Sequence, residues 1–182
     1  WASVFALDAS LSFARFTGPQ GTYLELYLHV AGSTVEPVAV NDSIVQGAVD
    51  VLVFFEQGEQ LVRYDKFRLN SPAGERIVDF VDLKRYPLPA GAYELKVEVS
   101  DAQASEQVRK YRTQIDLTFS DTEVAQSDIQ LLAAVETADT EGPMVKNGLL
   151  MEPLPFNYYG RGANVLTFYH EIYNSDEAIG EL

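Results

Sequence analysis

The sequence predicts an all-β protein: an antiparallel β-sandwich of the immunoglobulin or fibronectin-III kind, followed by the start of a second, incomplete β unit. Three observations predict this. Apolar residues recur at a period of two in run after run, which gives a strand one dry face and one wet face. Glycine, proline and small polar residues separate the runs at short intervals. No stretch keeps a helical period over three turns. The clearest run is Pro87–Ser100, where two prolines and a glycine precede a strand with Tyr93, Leu95, Val97 and Val99 on one side and Glu94, Lys96, Glu98 and Ser100 on the other. A tyrosine just after such a turn reads as a tyrosine corner, whose hydroxyl bonds back to the upstream backbone of a sandwich.

The other elements follow in order. Val4–Phe16 reads as an edge strand interrupted near Asp8–Ser10, and Thr17–Gly21 as a turn. Tyr23–Val30 is a strand with Leu24, Leu26, Leu28 and Val30 on its dry face and Tyr23, Glu25, Tyr27 and His29 on the other. Val35–Val40 holds Pro37, which suits an edge. Ile44–Phe55 is apolar on both faces and reads as a central strand. Glu56–Glu59 turns it into a hairpin with Gln60–Leu69, whose apolar phase slips once, as at a bulge. Arg76–Leu83 and Val108–Phe119 complete the unit. Residues 1–119 are therefore read as one sandwich, which needs about 7 strands in roughly 100 residues.

Residues 120–126 read as a polar linker and 127–182 as part of a second unit. Ser127–Val135 alternates, Asn147-Gly148 is a turn dipeptide, and Val165–Tyr173 reads as one strong strand. Such a piece would expose a long apolar edge. The expectation is a longer natural chain, or strands that pack onto the first domain or another copy. The opening at Trp1 likewise reads as a trimmed or mature segment.

The 182 residues are 47% hydrophobic, with ten Tyr, ten Phe, one Trp and no Cys. Disulfides, thiolate metal sites and Cys nucleophiles are excluded for this sequence. With 27 acidic against 13 basic residues the net charge is −14. Such a surface repels phosphate backbones and anionic lipid, so no nucleic-acid partner is expected. No run approaches the roughly 18 apolar residues of a membrane-spanning helix.

The order Pro-Leu-Pro-Ala-Gly-Ala-Tyr-Glu-Leu (87–95), Ser-Asp-Ile-Gln-Leu (127–131), Lys-Asn-Gly-Leu (146–149), Pro-Leu-Pro (153–155) and Leu-Thr-Phe-Tyr-His-Glu-Ile-Tyr-Asn (166–174) resembles the N-terminal part of GWxTD domain-containing proteins. The resemblance implies a β-sandwich region of an envelope-associated protein of Bacteroidetes-like bacteria, hence an extracytoplasmic location. The signature Gly-Trp-x-Thr-Asp itself is absent, since the one tryptophan is Trp1. Nothing the signature does transfers to a residue here.

No residue pattern points to catalysis or to a cofactor. His29 and His170 have neither a Gly-x-Ser-x-Gly nor a His-Glu-x-x-His beside them, and structural or surface roles are expected. Gly160-Arg161-Gly162 has no helix after it to hold an anion, so it reads as a turn. Asp139-Thr140-Glu141 and Asn174-Ser175-Asp176-Glu177 offer hard oxygen ligands but no EF-hand spacing, and read as solvated loops. Aromatic surfaces are the remaining candidates: Tyr158 and Tyr159 in a loop, against core or interdomain packing, and Tyr23 and Tyr27 on one strand face, as a platform or under a cover from another strand or domain. Two functions compete. The first is a non-catalytic interaction or spacer module of the cell envelope, binding a protein partner or another copy of itself. The second is a carbohydrate-binding module that stacks a glycan on those tyrosines.

Overall fold

The structure, a computed structural model, describes residues 6–176, so Trp1, Val4, Phe5 and Glu177 of the sequence readings lie outside the described residues. In chain order the strands are β1 (Ala9–Gly18), β2 (Gly21–Val30), β3 (Val38–Ala39), β4 (Val45–Gln46), β5 (Ala48–Gln57), β6 (Gln60–Asn70), β7 (Phe80–Pro87), β8 (Ala92–Asp101), β9 (Val108–Asp116), β10 (Ala125–Gln126), β11 (Gln130–Thr137), β12 (Val145–Lys146), β13 (Leu149–Pro153), β14 (Thr167–Tyr169) and β15 (Ile172–Tyr173). Two single 3-10 turns, Gly32–Thr34 and Pro155–Asn157, interrupt them. The chain is all-β, as its alternation requires. Its larger sheets have the orders β1-β2-β7, β6-β5-β8-β9 and β12-β13-β11-β14.

Two compact units are interleaved along the chain, where the sequence reading places consecutive segments. The first comprises Trp1–Leu11, Leu28–Asp82 and Ala92–Ile115; the second comprises Ser12–Tyr27, Leu83–Gly91 and Asp116–Leu182. The strands β1, β2 and β7 are each divided between them. Residues 127–176 thus cluster with Ser12–Tyr27 and Leu83–Gly91.

In the first unit β5 is central, paired with β6 on one side and β8 on the other. The register Val51↔Val99, Val53↔Val97 and Phe55↔Leu95 lines up apolar side chains across the ladder, and all six are buried. Tyr93 heads the same buried row. The other face is wet and ion-paired, with Arg68 on Asp50 at 2.7 Å and Lys96 on Glu56 at 2.6 Å. The hairpin β5–β6 turns at Gly58, whose φ of 59° is glycine's place in a type II′ turn. Phe55 faces Arg63 and Glu56 faces Leu61, so Val62 is the extra residue that slips the phase.

Four strand readings are corrected. Ile44–Phe55 is not one strand: Val45–Gln46 forms β4 and pairs with β3, and β5 begins at Ala48. Arg76–Leu83 is not the strand: β7 starts at Phe80 and runs on through Pro87. Residues 76–79 leave the ladder because Asp79 Oδ1 accepts the Gly32 N–H at 2.9 Å. The second face of β2 is not wet, since Glu25, Tyr27 and His29 are as buried as the leucines between them. Finally, Val165–Tyr173 is not one strand. It splits into β14, paired with β11, and β15, paired with β10. Between the two ladders Asp128 and Ile129 oppose the single residue His170, a two-against-one bulge. The bulge turns Asp128 toward Arg15, which grips both carboxylate oxygens at 2.7 and 2.8 Å.

Candidate functional site

The second unit is organised around a buried cation. Asn147 and Gly148 have φ of 53° and 73°, both left-handed as a type I′ hairpin turn needs, and they join β12 to β13. This turn places Lys146 at the last position of β12. Lysine at a hairpin tip ordinarily extends into water. Here the side chain is only 9% exposed.

Its surroundings come from four other stretches of the same unit. Phe16 on β1 lies under the ammonium, with Nζ 3.0 Å from the ring centroid. Tyr23 on β2 and Tyr169 on β14 flank it at 5.2 and 5.0 Å. All three rings are within the range of a cation–π contact. Two carboxylates complete the surround. Glu171 Oε1 is 3.0 Å from Nζ, an ion pair without the alignment of a full hydrogen bond, and Glu25 Oε1 is 3.6 Å away.

Both carboxylates are held by other donors. Arg85 Nε on β7 donates to Glu25 Oε1 at 2.8 Å and the Tyr27 hydroxyl to Oε2 at 2.6 Å. The hydroxyls of Tyr169 and Tyr173 donate to Glu171 Oε1 and Oε2 at 2.7 and 2.8 Å. Two cations and two anions balance, so the centre is neutral and polar inside an otherwise apolar cluster of Ala14, Phe16, Tyr27 and Leu83.

Burial sets the titration here. It lowers the Lys146 ammonium below its ordinary value of 10.5, and Glu25 and Glu171 offset only part of that. Burial pushes Glu171 up, but the two tyrosine hydroxyls and Lys146 outweigh it and hold the carboxyl below 4.5. Burial also raises Tyr23, Tyr27, Tyr169 and Tyr173 above 10.0, with the neighbouring carboxylates adding to it.

The signs follow from linkage. Glu171 contributes stability above its unfolded value of 4.5 that is lost as pH falls through the lowered folded value. The four tyrosines contribute stability below 10.0 that is lost as pH rises through their folded values, and Lys146 opposes this limb in part. Thermal unfolding followed by tyrosine fluorescence should therefore show a plateau between these limits. Glu171→Gln should flatten the acid limb selectively; an unchanged acid limb in that variant would refute the assignment.

The four tyrosines singled out from the sequence fall differently. Tyr27 is buried with its hydroxyl on Glu25, and Tyr23 stacks on Phe16 at 5.4 Å. These two do not form an exposed platform, because the face that carries them is covered. The Tyr159 hydroxyl is a backbone staple, donating to Thr167 O at 2.8 Å and accepting from Thr167 N at 3.2 Å. Tyr158 presents its ring to solvent, 69% exposed. His29 is buried. The Asn174 amide ties the loop carbonyls of Ser120 and Glu123 at 2.7 and 3.0 Å. Lys146, Glu25, Arg85 and Glu171 were not legible as a group. The faint signal was a glutamate between two tyrosines on a strand with a leucine face.

A second feature of this unit is the outer side of β11 and β14. Gln130 and Leu132 point inward, so Ile129 and Leu131 point outward, and Leu131 sits opposite Phe168. Ile129, Leu166, Phe168 and Ile172 are all exposed. The alternation of Val165–Tyr173 is real, but its aliphatic side faces solvent while Tyr169, Glu171 and Tyr173 turn in. The charged residues on β11, β13 and β14 are Glu136 and Glu152, both exposed.

No family model and no curated protein matches the chain. Among solved structures, an ApaA protein from Bordetella pertussis aligns over 65% of this chain and 99% of its own, with 13% identity and a TM-score of 0.36.

Proposed function

We propose that this chain is a non-catalytic protein-interaction module of a bacterial cell envelope. The observation that carries the reading is the exposed apolar side of β11 and β14. Single exposed apolar residues are ordinary, but exposed Ile129, Leu166 and Phe168 gathered with half-buried Leu131 along one ladder mark a surface for a partner. The only charges on these strands, Glu136 and Glu152, favour a partner that offers apolar side chains with Lys or Arg at the rim. A second copy would bring like charges together. The envelope location rests on the resemblance of segments 87–95 and 127–174 to GWxTD domain-containing proteins.

The test is a photo-crosslinking residue at position 168, in cells of the source organism, with position 62 on β6 as the control. An adduct with a distinct protein from position 168 alone is expected. Leu166→Ser with Phe168→Ser, probed from position 129, should weaken the adduct roughly tenfold, the loss of a hot-spot contact. Crosslinks only between copies, or none from position 168, would overturn the reading. A glycan-binding role would instead centre on Tyr158 and survive the double substitution.

A further inference from the structure

We propose that Phe16, Tyr23, Tyr169, Glu25 and Glu171 form a binding cage for a primary alkylammonium, and that Lys146 is its resident ligand, docked to hold the β12–β13 hairpin. The cage is built without the hairpin. Its five side chains lie on β1, β2, β14 and the turn into β15. Phe16 and Tyr23 stack on each other, and Tyr169 tilts against Phe16 at 6.3 Å. Arg85 and Tyr27 orient Glu25, and Tyr169 and Tyr173 orient Glu171, before any lysine enters. An aromatic floor with carboxylates at its wall is the chemistry that recognises an ammonium head.

The stem matters as well as the head. The lysine methylenes are buried with the ammonium, so the site accommodates a linear alkyl chain ending in NH3+. Beside Lys146, two other polar side-chain contacts tie the hairpin tip to the cage. Val145 O accepts from Arg85 Nη2 at 3.3 Å, and the Asn147 amide donates to the Tyr169 hydroxyl at 2.7 Å. Met144 also packs against the apolar cluster, and the Met151 N–H donates to Met144 O at 2.9 Å, so removing the docked cation loosens the tip around residues 145–147 while leaving the cage walls standing.

Chemical rescue tests this. Lys146→Ala removes three methylenes and the ammonium, the atoms of n-propylammonium. The variant should melt roughly 5–10 °C below the unchanged protein, the loss of one partner from a buried network. Millimolar n-propylammonium chloride should raise its Tm and slow amide exchange at Val145 and Met151. It should do neither to the unchanged protein. n-Propanol at the same concentration should do neither to the variant, and Glu171→Gln added to Lys146→Ala should abolish the rescue. Equal effects of propanol and propylammonium, or no effect of either, would overturn the cage. If Lys146→Ala does not fold, Lys146→Met decides, because it keeps the stem and drops the charge. Lys146→Met as stable as the unchanged protein would overturn the proposal, and a clear loss would sustain it.

Discussion

Glu25→Ala is expected to destabilise the protein by about 3–5 kcal/mol, the cost of removing one member of a buried ion pair and leaving its partner behind. Glu25 is 1% exposed and is shared by three groups: Arg85 at 2.8 Å, Lys146 at 3.6 Å and the Tyr27 hydroxyl at 2.6 Å. Removing Lys146 leaves Glu25 with Arg85 and the Tyr27 hydroxyl, and leaves Glu171, the more exposed carboxylate at 18%, with two tyrosine hydroxyls as donors. Removing Glu25 leaves two cations with Glu171 alone, and strips the Tyr27 hydroxyl of its acceptor in a buried position. Desolvated charge without a counter-charge is the more costly error. For a chain of this length a loss of this size lowers Tm by roughly 10 °C or more. Glu25→Gln, which keeps an acceptor for Tyr27, should fall between. Urea unfolding at pH 7 measures both; a Glu25→Ala loss no larger than that of Lys146→Ala would show that Glu25 is not the hub.

What could be read from the residues and what could not divide along a physical line. The turn dipeptide Asn147-Gly148, the glycine hairpin at Gly58, the bulge on β6 and the central place of β5 are all local in origin, and each formed where it was expected. Which face of a strand is covered is not local. Glu25 and His29 on β2 alternate as a wet face should, yet both are buried. Leu166, Phe168 and Ile172 alternate as a dry face should, yet they face solvent while Glu171 turns in. Period fixes the partition of residues between two sides; only the packing partner decides which side is dry. Lys146 escaped for the same reason. Its ligands lie at positions 16, 23, 25, 169 and 171, and no spacing within a window of the sequence connects them to position 146.

Gly32→Ala should be nearly as damaging, through the backbone rather than through charge. A Cβ at Gly32 would stand 2.3 Å from the carbonyl oxygen of Val78 and 2.5 Å from its carbon, with the Ile77 Cγ2 methyl at 2.9 Å. Two of these three atoms are main chain, so no rotamer change relieves the overlap. The 76–79 segment would have to move. That movement would pull Asp79 off the Gly32 N–H, a 2.9 Å bond that helps hold the segment out of the β7 ladder. It would also disturb Phe80, the buried first residue of β7. Overpacking a core by one methyl typically costs about 1–3 kcal/mol, and a clash with the Val78 main chain belongs at or above the top of that range. Gly18→Ala, where nothing lies within 4 Å of the added methyl, is the matched control and should be close to neutral. A Gly32→Ala protein that melts with Gly18→Ala would mean the Val78 carbonyl yields freely, and that the close approach of these two segments contributes little to this unit.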